Sequence, residues 1–179
     1  MRRRSFLSGV GGALLAACNK AVRPSATTAE PSSVAPPSAD IALLERALAS
    51  EVSIGLLYEQ ELTSPTIDAP TRARLESFRA HHRDHADAFR RALVLAGRPA
   101  AEVSPSPVPD VSSRQDPLPA LSAAEDQQAK AHLAAAGRLS TGELAQAIAG
   151  VCGVEARHAA VLRSLAGEAP IPSPFLDRQ

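Results

Sequence analysis

The chain has 179 residues, with 19 basic and 19 acidic side chains and no net charge when histidine is neutral. Such a balance gives no electrostatic footprint for nucleic acid. With no tryptophan, one tyrosine and four phenylalanines, the composition disfavours a carbohydrate-stacking or base-stacking surface and leaves the core to Leu, Ala, Val and Ile, which suits helices better than sheets.

The N-terminus reads as an address. Met1-Arg2-Arg3-Arg4 is positively charged, and residues 6–17 are apolar and glycine-rich. That run is too short to span a bilayer, which takes about 20 apolar residues. The layout is that of a signal peptide and is set apart from the fold. Arg3 and Arg4, followed by Ser5-Phe6-Leu7, resemble the twin-arginine export signal, which a receptor reads and which is not itself an anchor. Leu15-Ala16-Ala17-Cys18 is similar to the lipobox of bacterial lipoproteins, in which the cysteine is lipidated and becomes the first mature residue. The two resemblances imply an exported protein on a cell membrane, facing the periplasm or the cell exterior. The membrane is then its partner through the lipid anchor, each buried methylene contributing roughly 0.8 kcal/mol. Cleavage before Cys18 removes Arg2, Arg3 and Arg4 and leaves 16 basic against 19 acidic residues, a net charge of −3. With Cys18 lipidated, Cys152 has no partner, and a disulfide framework is excluded. Residues 1–17 are thus the signal peptide. Residues 18–39, rich in Ser, Ala, Thr and Pro with no apolar period, are the lipidated cysteine and a disordered tether.

Residues 40–179 suffice for one domain. A first helix is expected over about residues 40–62, with Asp40 as N-cap. Ile41, Leu44, Leu48, Glu51, Gly55, Tyr58 and Leu62 recur on one face. A second starts near Pro70, carries Leu75, Phe78, His82, His85, Phe89, Leu93 and Ala96 on its stripe, and stops at Gly97. Residues 100–119 contain five prolines and form neither helix nor strand. A loop of that length in a small domain needs a reason, and a crossover along a bundle is one. A third helix covers about residues 120–136, with Leu121, Gln128, His132 and Ala135 near one face. The fourth has Ser140 as N-cap and Glu143 three residues on, a capping-box pattern. Its stripe is Leu144, Ile148, Val151, Glu155, His158, Leu162 and Leu165, and Gly167 ends it. The proline-rich tail, residues 170–176, is expected to lie back on the bundle. Two helical hairpins joined by one long crossover is the connectivity of a ferritin-like four-helix bundle, an all-α fold.

The informative residues are polar ones inside apolar stripes, since an unpartnered buried carboxylate or imidazole is costly. Glu51, His82, His85, Glu155 and His158 all stand mid-stripe. Glu155 and His158 are spaced Glu-x-x-His, which projects both from one helix face. Glu51 lies about as far before the first turn as His82 and His85 lie after it. Glu125 and Glu155 are placed likewise about the second turn, so the set converges on one layer. Each member also has a plainer reading. Glu155 with His158 forms a buried salt bridge, and His82 and His85 are solvated beside Arg83, Asp84 and Asp87. Glu51 bonds Tyr58 or an arginine, and Glu125 closes a capping box with Ser122. His81 and His132 read as surface or network histidines, and Cys152 as a small buried apolar residue.

On these residues the chain resembles the bacterial ferritin-like domain proteins of the secreted, lipid-anchored kind, from Ile41 to about Phe175. The family's di-iron pattern has one Glu on each of two helices and Glu-x-x-His on the other two. The resemblance implies metal ligands at Glu51, His85, Glu125, Glu155 and His158. His82 stands where the family has a Glu, so the second helix reads His-x-x-His. An imidazole there removes negative charge and shifts preference toward a single ion or a nitrogen-favouring metal, Zn, Cu or Fe, with Mn also within reach of the set. Twin-arginine cargo is exported folded, often with its cofactor inserted. Three functions remain open: metal storage, buffering or sensing; a di-metal oxidase or peroxide-consuming enzyme, which needs two ions and an open coordination position; and a structural or interaction lipoprotein of the envelope with a decayed metal site. A homodimer is compatible with all three.

Overall fold

The computed structural model describes residues 36–98, 104–105 and 116–172. Arg3, Arg4, Cys18, most of the tether, most of the crossover and the end of the tail lie outside the described residues. Four helices follow one another: α1 (Ser38–Glu61), α2 (Ala69–Leu95), α3 (Leu118–Ala136) and α4 (Gly142–Leu165). No strand occurs among the described residues, and none of the helices is long and apolar enough to cross a membrane. The fold is the all-α four-helix bundle expected from the hydrophobic periods.

α2 starts as its sequence dictates. Asp68 is the N-cap, and its carboxylate accepts from the backbone N–H of Thr71 at 2.8 Å. Pro70 sits in the first turn, where its missing N–H costs nothing. The helix ends at Gly97, whose φ of 74° lies in the left-handed region that glycine enters freely. Gly167 does the same after α4, with φ 77°. The α1–α2 turn is held by the Arg72 guanidinium, which donates to the carbonyls of Leu62 and Ser64.

Two expected caps are corrected. Pro37, not Asp40, is the N-cap of α1, and Thr141, not Ser140, is that of α4, with no capping bond from its own side chain. The reason is one long-range contact. The buried Asp40 carboxylate accepts from the backbone N–H of Ser140 and of Thr141 at 3.1 and 2.9 Å. It also accepts from their hydroxyls at 3.0 and 2.8 Å. Asp40 therefore caps α4 from α1. Burial works against its charge, but these four bonds hold its carboxyl below the ordinary range.

The same contact fixes the topology. It sets the start of α1 beside the start of α4, so those two helices run parallel. Short turns make α1–α2 and α3–α4 antiparallel pairs, so α2 and α3 run parallel as well. At the opposite end, Ala120 and Leu121 at the start of α3 pack with Ile54 and Leu57 of α1 and Ile67 of the first turn. The end of α2 and the start of α3 therefore lie at opposite ends of the bundle, separated by roughly the 28 Å that a helix the length of α3 spans.

The core forms in two pieces. One contains Ile54, Leu57, Tyr58, Leu75, Phe78, Leu121 and Leu162; the other contains Leu44, Leu48, Phe89, Leu93 and Ile148. α1 buries a wider arc than its stripe suggested, adding Leu43, Ala47, Ile54 and Leu57, because it faces both α2 and α3. Leu165, expected in the stripe of α4, is 43% exposed. Between the two apolar pieces lies a layer of buried polar side chains.

Replacing Asp40 by alanine tests the cross-helix cap. The loss of a helix cap costs about 1–2 kcal/mol, so the thermal midpoint should fall by about 3–6 °C. The folded pKa of Asp40 is lowered, so its contribution is present above its unfolded value and lost as pH falls through the folded one. The gap between variant and wild type in thermal melts should therefore narrow below about pH 4.

Candidate metal centre

Each helix delivers its layer residues from the middle of its length: Glu51 from α1, His82 and His85 from α2, Glu125 from α3, Glu155 and His158 from α4. All six sequence-derived candidates meet. They form two groups that share one residue. Ligand atoms of Glu51, His82, His85 and Glu155 lie within 4.8 Å of one another, and so do those of His82, Glu125 and His158.

Glu51 and Glu125 are well provided with donors. His82 Nδ1 donates to Glu51 Oε2 at 2.9 Å and His82 Nε2 to Glu125 Oε1 at 3.0 Å. His132 Nε2 donates to the other Glu51 oxygen at 2.8 Å. Glu125 Oε1 also accepts from the Tyr58 hydroxyl at 2.5 Å and from His158 Nδ1 at 3.2 Å. Burial opposes the charge on Glu51, yet the bonds from His132 and His82 hold its carboxyl below the ordinary range. Glu125 behaves likewise, with His158 and His82 as its donors. His82 is the counterpart. Burial disfavours its imidazolium, but Glu125 and Glu51 raise its pKa to about 9. Both of its nitrogens point at carboxylates, which is what an imidazolium requires. Beneath Glu125, burial and the Glu125 charge keep the Tyr58 phenol well above its ordinary value.

Glu155 is different. It is completely buried, and neither of its oxygens accepts a hydrogen bond of normal geometry. His82 Nδ1, His85 Nδ1 and His132 Nε2 approach it no closer than 3.7–3.8 Å. Burial, reinforced by the charges on Glu51 and Glu125, pushes its carboxyl up to about 11. Its surroundings therefore favour the protonated acid at neutral pH. Three further buried atoms also lack a hydrogen bond of normal geometry: His85 Nδ1, 3.4 Å from Glu51 Oε2, together with Glu125 Oε2 and Gln128 Nε2.

Several plainer readings fall. Glu125 closes no capping box: Ser122 Oγ donates to the Pro119 carbonyl, and Glu125 points into the layer. Glu155 and His158 form no pair; His158 bonds Glu125 instead. His85 is only partly accessible, its side chain 16% exposed, and His82 is wholly buried, so neither is a solvated surface histidine. Cys152 is only half-buried; its thiol donates to the Ala129 carbonyl at 3.2 Å, and burial raises its pKa.

Sequence reasoning left two members of the layer outside it. His132 lies seven residues after Glu125, two turns along the same face, a spacing that signals membership. His81 is half-buried, and its Nδ1 lies 2.9 Å from His158 Nε2. Its ring stacks on His158 at 5.1 Å, while Phe78 stacks on the same imidazole at 4.0 Å. No stripe position identifies His81, because it contacts the layer from the outside.

Residues 39–168 match the ferritin-like domain family. No curated protein matches the sequence.

The protonation pattern has a measurable consequence in chelator. The folded pKa of His82 is raised, so the stability it contributes is full below about pH 6.5 and is lost as pH rises through about 9. Glu155, also raised, holds in the folded state a proton that the unfolded chain has released, and so acts in the same direction. The melting midpoint of the metal-free protein should fall between about pH 6.5 and 9. Glu155→Gln, an isostere of the neutral acid, should flatten that fall and raise the midpoint at pH 7, because the variant folds without taking up a proton. Glu51→Gln should lower the unfolding free energy by the about 1.5–3 kcal/mol that a charged hydrogen bond contributes.

Proposed function

We propose, because the chain belongs to the ferritin-like domain family, that its polar layer binds a transition-metal ion and that the protein stores, buffers or senses metal outside the cytoplasm, held to a membrane by lipid on Cys18. The observation that supports the metal reading is Glu155, a buried carboxyl whose two oxygens have no donor at normal hydrogen-bond geometry, the surrounding imidazoles standing off at 3.7–3.8 Å. A protein interior seldom leaves such atoms unmatched, and a cation beside them would replace the proton that Glu155 otherwise keeps.

The donor set fits such an ion. It is confined to imidazole nitrogens and carboxylate oxygens, which suit Fe, Zn, Mn or Cu. Glu51, His85 and Glu155 would hold it, with His82 Nδ1 at the same position. Glu125 and His158 form the neighbouring position. His82 turns opposite nitrogens to the two, and a neutral imidazole has a lone pair on only one of them. A carboxylate in that place could bridge two ions; a neutral histidine ligates one. We therefore favour one tightly held ion per chain. The ion would supply fixed positive charge, allowing Glu155 to ionise within the core. His132 would keep Glu51 oriented, and His81 would keep the ring of His158 in place, as outer hydrogen-bond partners of ligands do.

The alternative of a di-metal oxidase or peroxide-consuming enzyme requires two ions. Elemental analysis of the purified full chain separates the readings. One equivalent of metal supports storage, buffering or sensing. Two equivalents, with oxygen consumed on addition of ferrous iron, support the enzyme. None supports an envelope protein that keeps the bundle for structure or interaction. Thermal melts with Zn, Mn or ferrous iron should show a rise in midpoint, since a ligand at a hundred times its Kd stabilises by about 2.7 kcal/mol. His85→Ala should weaken binding at least about tenfold and more than His158→Ala does. Because bound ligands must shed their protons, affinity should fall as pH is lowered. No shift with any of these metals would overturn the metal reading.

The export and anchoring proposal rests on Arg3, Arg4 and the lipobox ending at Cys18. Cys18→Ala should leave the protein exported but soluble, which membrane fractionation checks. A variant still firmly bound to membrane would refute the lipid anchor.

A further inference from the structure

A cleft of about 440 Å³ opens between α1 and α2. Two of the residues lining it, Glu51 and His82, are buried members of the polar layer, so its inner end reaches the ligand set. Gly55 on α1 and Ala80 on α2 are among its walls. Around it stand Glu59, Glu76, Arg79, Arg83 and Arg90. Arg90 is paired with Asp87 at 2.7 Å, which leaves two arginines against two glutamates. The mouth therefore sets up no strong field against a small cation.

Gly55 has no local reason to be glycine. It lies inside α1, where glycine costs about 0.5–1 kcal/mol relative to alanine. Its φ is not positive. A Cβ built on it would meet no heavy atom within 4 Å, so no close approach excludes a side chain. Gly150 and Gly153 in α4 also have open space beside them, but they are exposed and are not among the walls of this cleft. At Gly55 the open space is half-buried and leads to Glu51.

We propose that this cleft is the port through which a divalent cation reaches the layer, and that Gly55 keeps its mouth open at a cost in helix stability. The proposal rests on the metal reading above and concerns the rate at which the site fills. Filling the mouth should stabilise the fold, slow loading and leave equilibrium affinity unchanged.

The test is stopped-flow mixing of the purified full chain with Co(II) alone, whose visible absorption reports ligation, combined with equilibrium titration and thermal melts. Gly55→Ala should raise the metal-free midpoint by about 2–4 °C. Gly55→Leu should slow loading at least about tenfold with a Kd within twofold of wild type. Ala80→Leu, on the facing wall, should do the same by an independent route if the first variant folds poorly. Gly153→Leu, on the outer face of α4, should load at the wild-type rate. Uptake by Gly55→Leu and Ala80→Leu as fast as by wild type would overturn the port and leave the metal reading intact. A wild-type chain that takes up no Co(II) would overturn both.

Discussion

Glu51 is an ionised carboxylate in the middle of a four-helix core, and keeping it charged there constrains the other three helices. A buried ion costs several kcal/mol even after relaxation unless charges and hydrogen bonds surround it. Its donors come from other helices: His82 on α2 takes one oxygen and His132 on α3 the other. The second nitrogen of His82 must then find an acceptor, which is Glu125 on α3. Glu125 in turn draws in Tyr58 from α1 and His158 from α4. One connected network ties all four helices at one height. Sliding any helix by a turn would strand a buried charge, so the layer sets register as well as chemistry.

The layer also divides the apolar core, and neither half is large. Each end of the bundle is fastened separately. At one end the Asp40 carboxylate collects four donors from the α3–α4 turn. At the other, Arg72 holds the carbonyls of the α1–α2 turn. These are polar contacts at the two ends of the bundle, each modest by itself. They suit a fold whose middle is committed to charged groups and whose apolar halves must be kept from splaying.

Much of this was legible in the sequence, and the reason is periodicity. A helix repeats every 3.6 residues, so a Glu or His in an apolar stripe must be buried. That identified Glu51, His82, His85, Glu155 and His158 and placed them at one level. The turn residues Asp68, Gly97 and Gly167 were equally plain, since each acts within a few residues of itself. What sequence could not reveal was pairing across distance. Asp40 caps a helix about a hundred residues away in the chain, so it was read as capping its own. Ser122 and Glu125 satisfied a local capping pattern as well as the layer, and the fold decides between the two by turning the carboxylate inward. His132 was visible two turns beyond Glu125 but lay in an alanine-rich helix whose stripe is faint. His81, off the stripe altogether, touches the layer through the ring of His158.

The layer is not explained by folding alone. Buried ionic groups are often no more stabilising than well-packed apolar residues of similar volume, and leucines at these positions would join the two halves of the core. A polar layer retained only to specify register would be expected to satisfy its members, since a half-satisfied network is worse than an apolar core. Here the satisfaction is uneven. Glu51 and Glu125 have their imidazoles, while Glu155 is held neutral by burial and by the two charges beside it. Its oxygens, His85 Nδ1 and Glu125 Oε2 lack a partner at normal hydrogen-bond geometry. Those atoms are good metal donors, and one of their residues, Glu155, can give up a proton when a cation arrives. The unevenness, rather than the presence of histidines and glutamates as such, argues that the layer is completed by something other than the polypeptide.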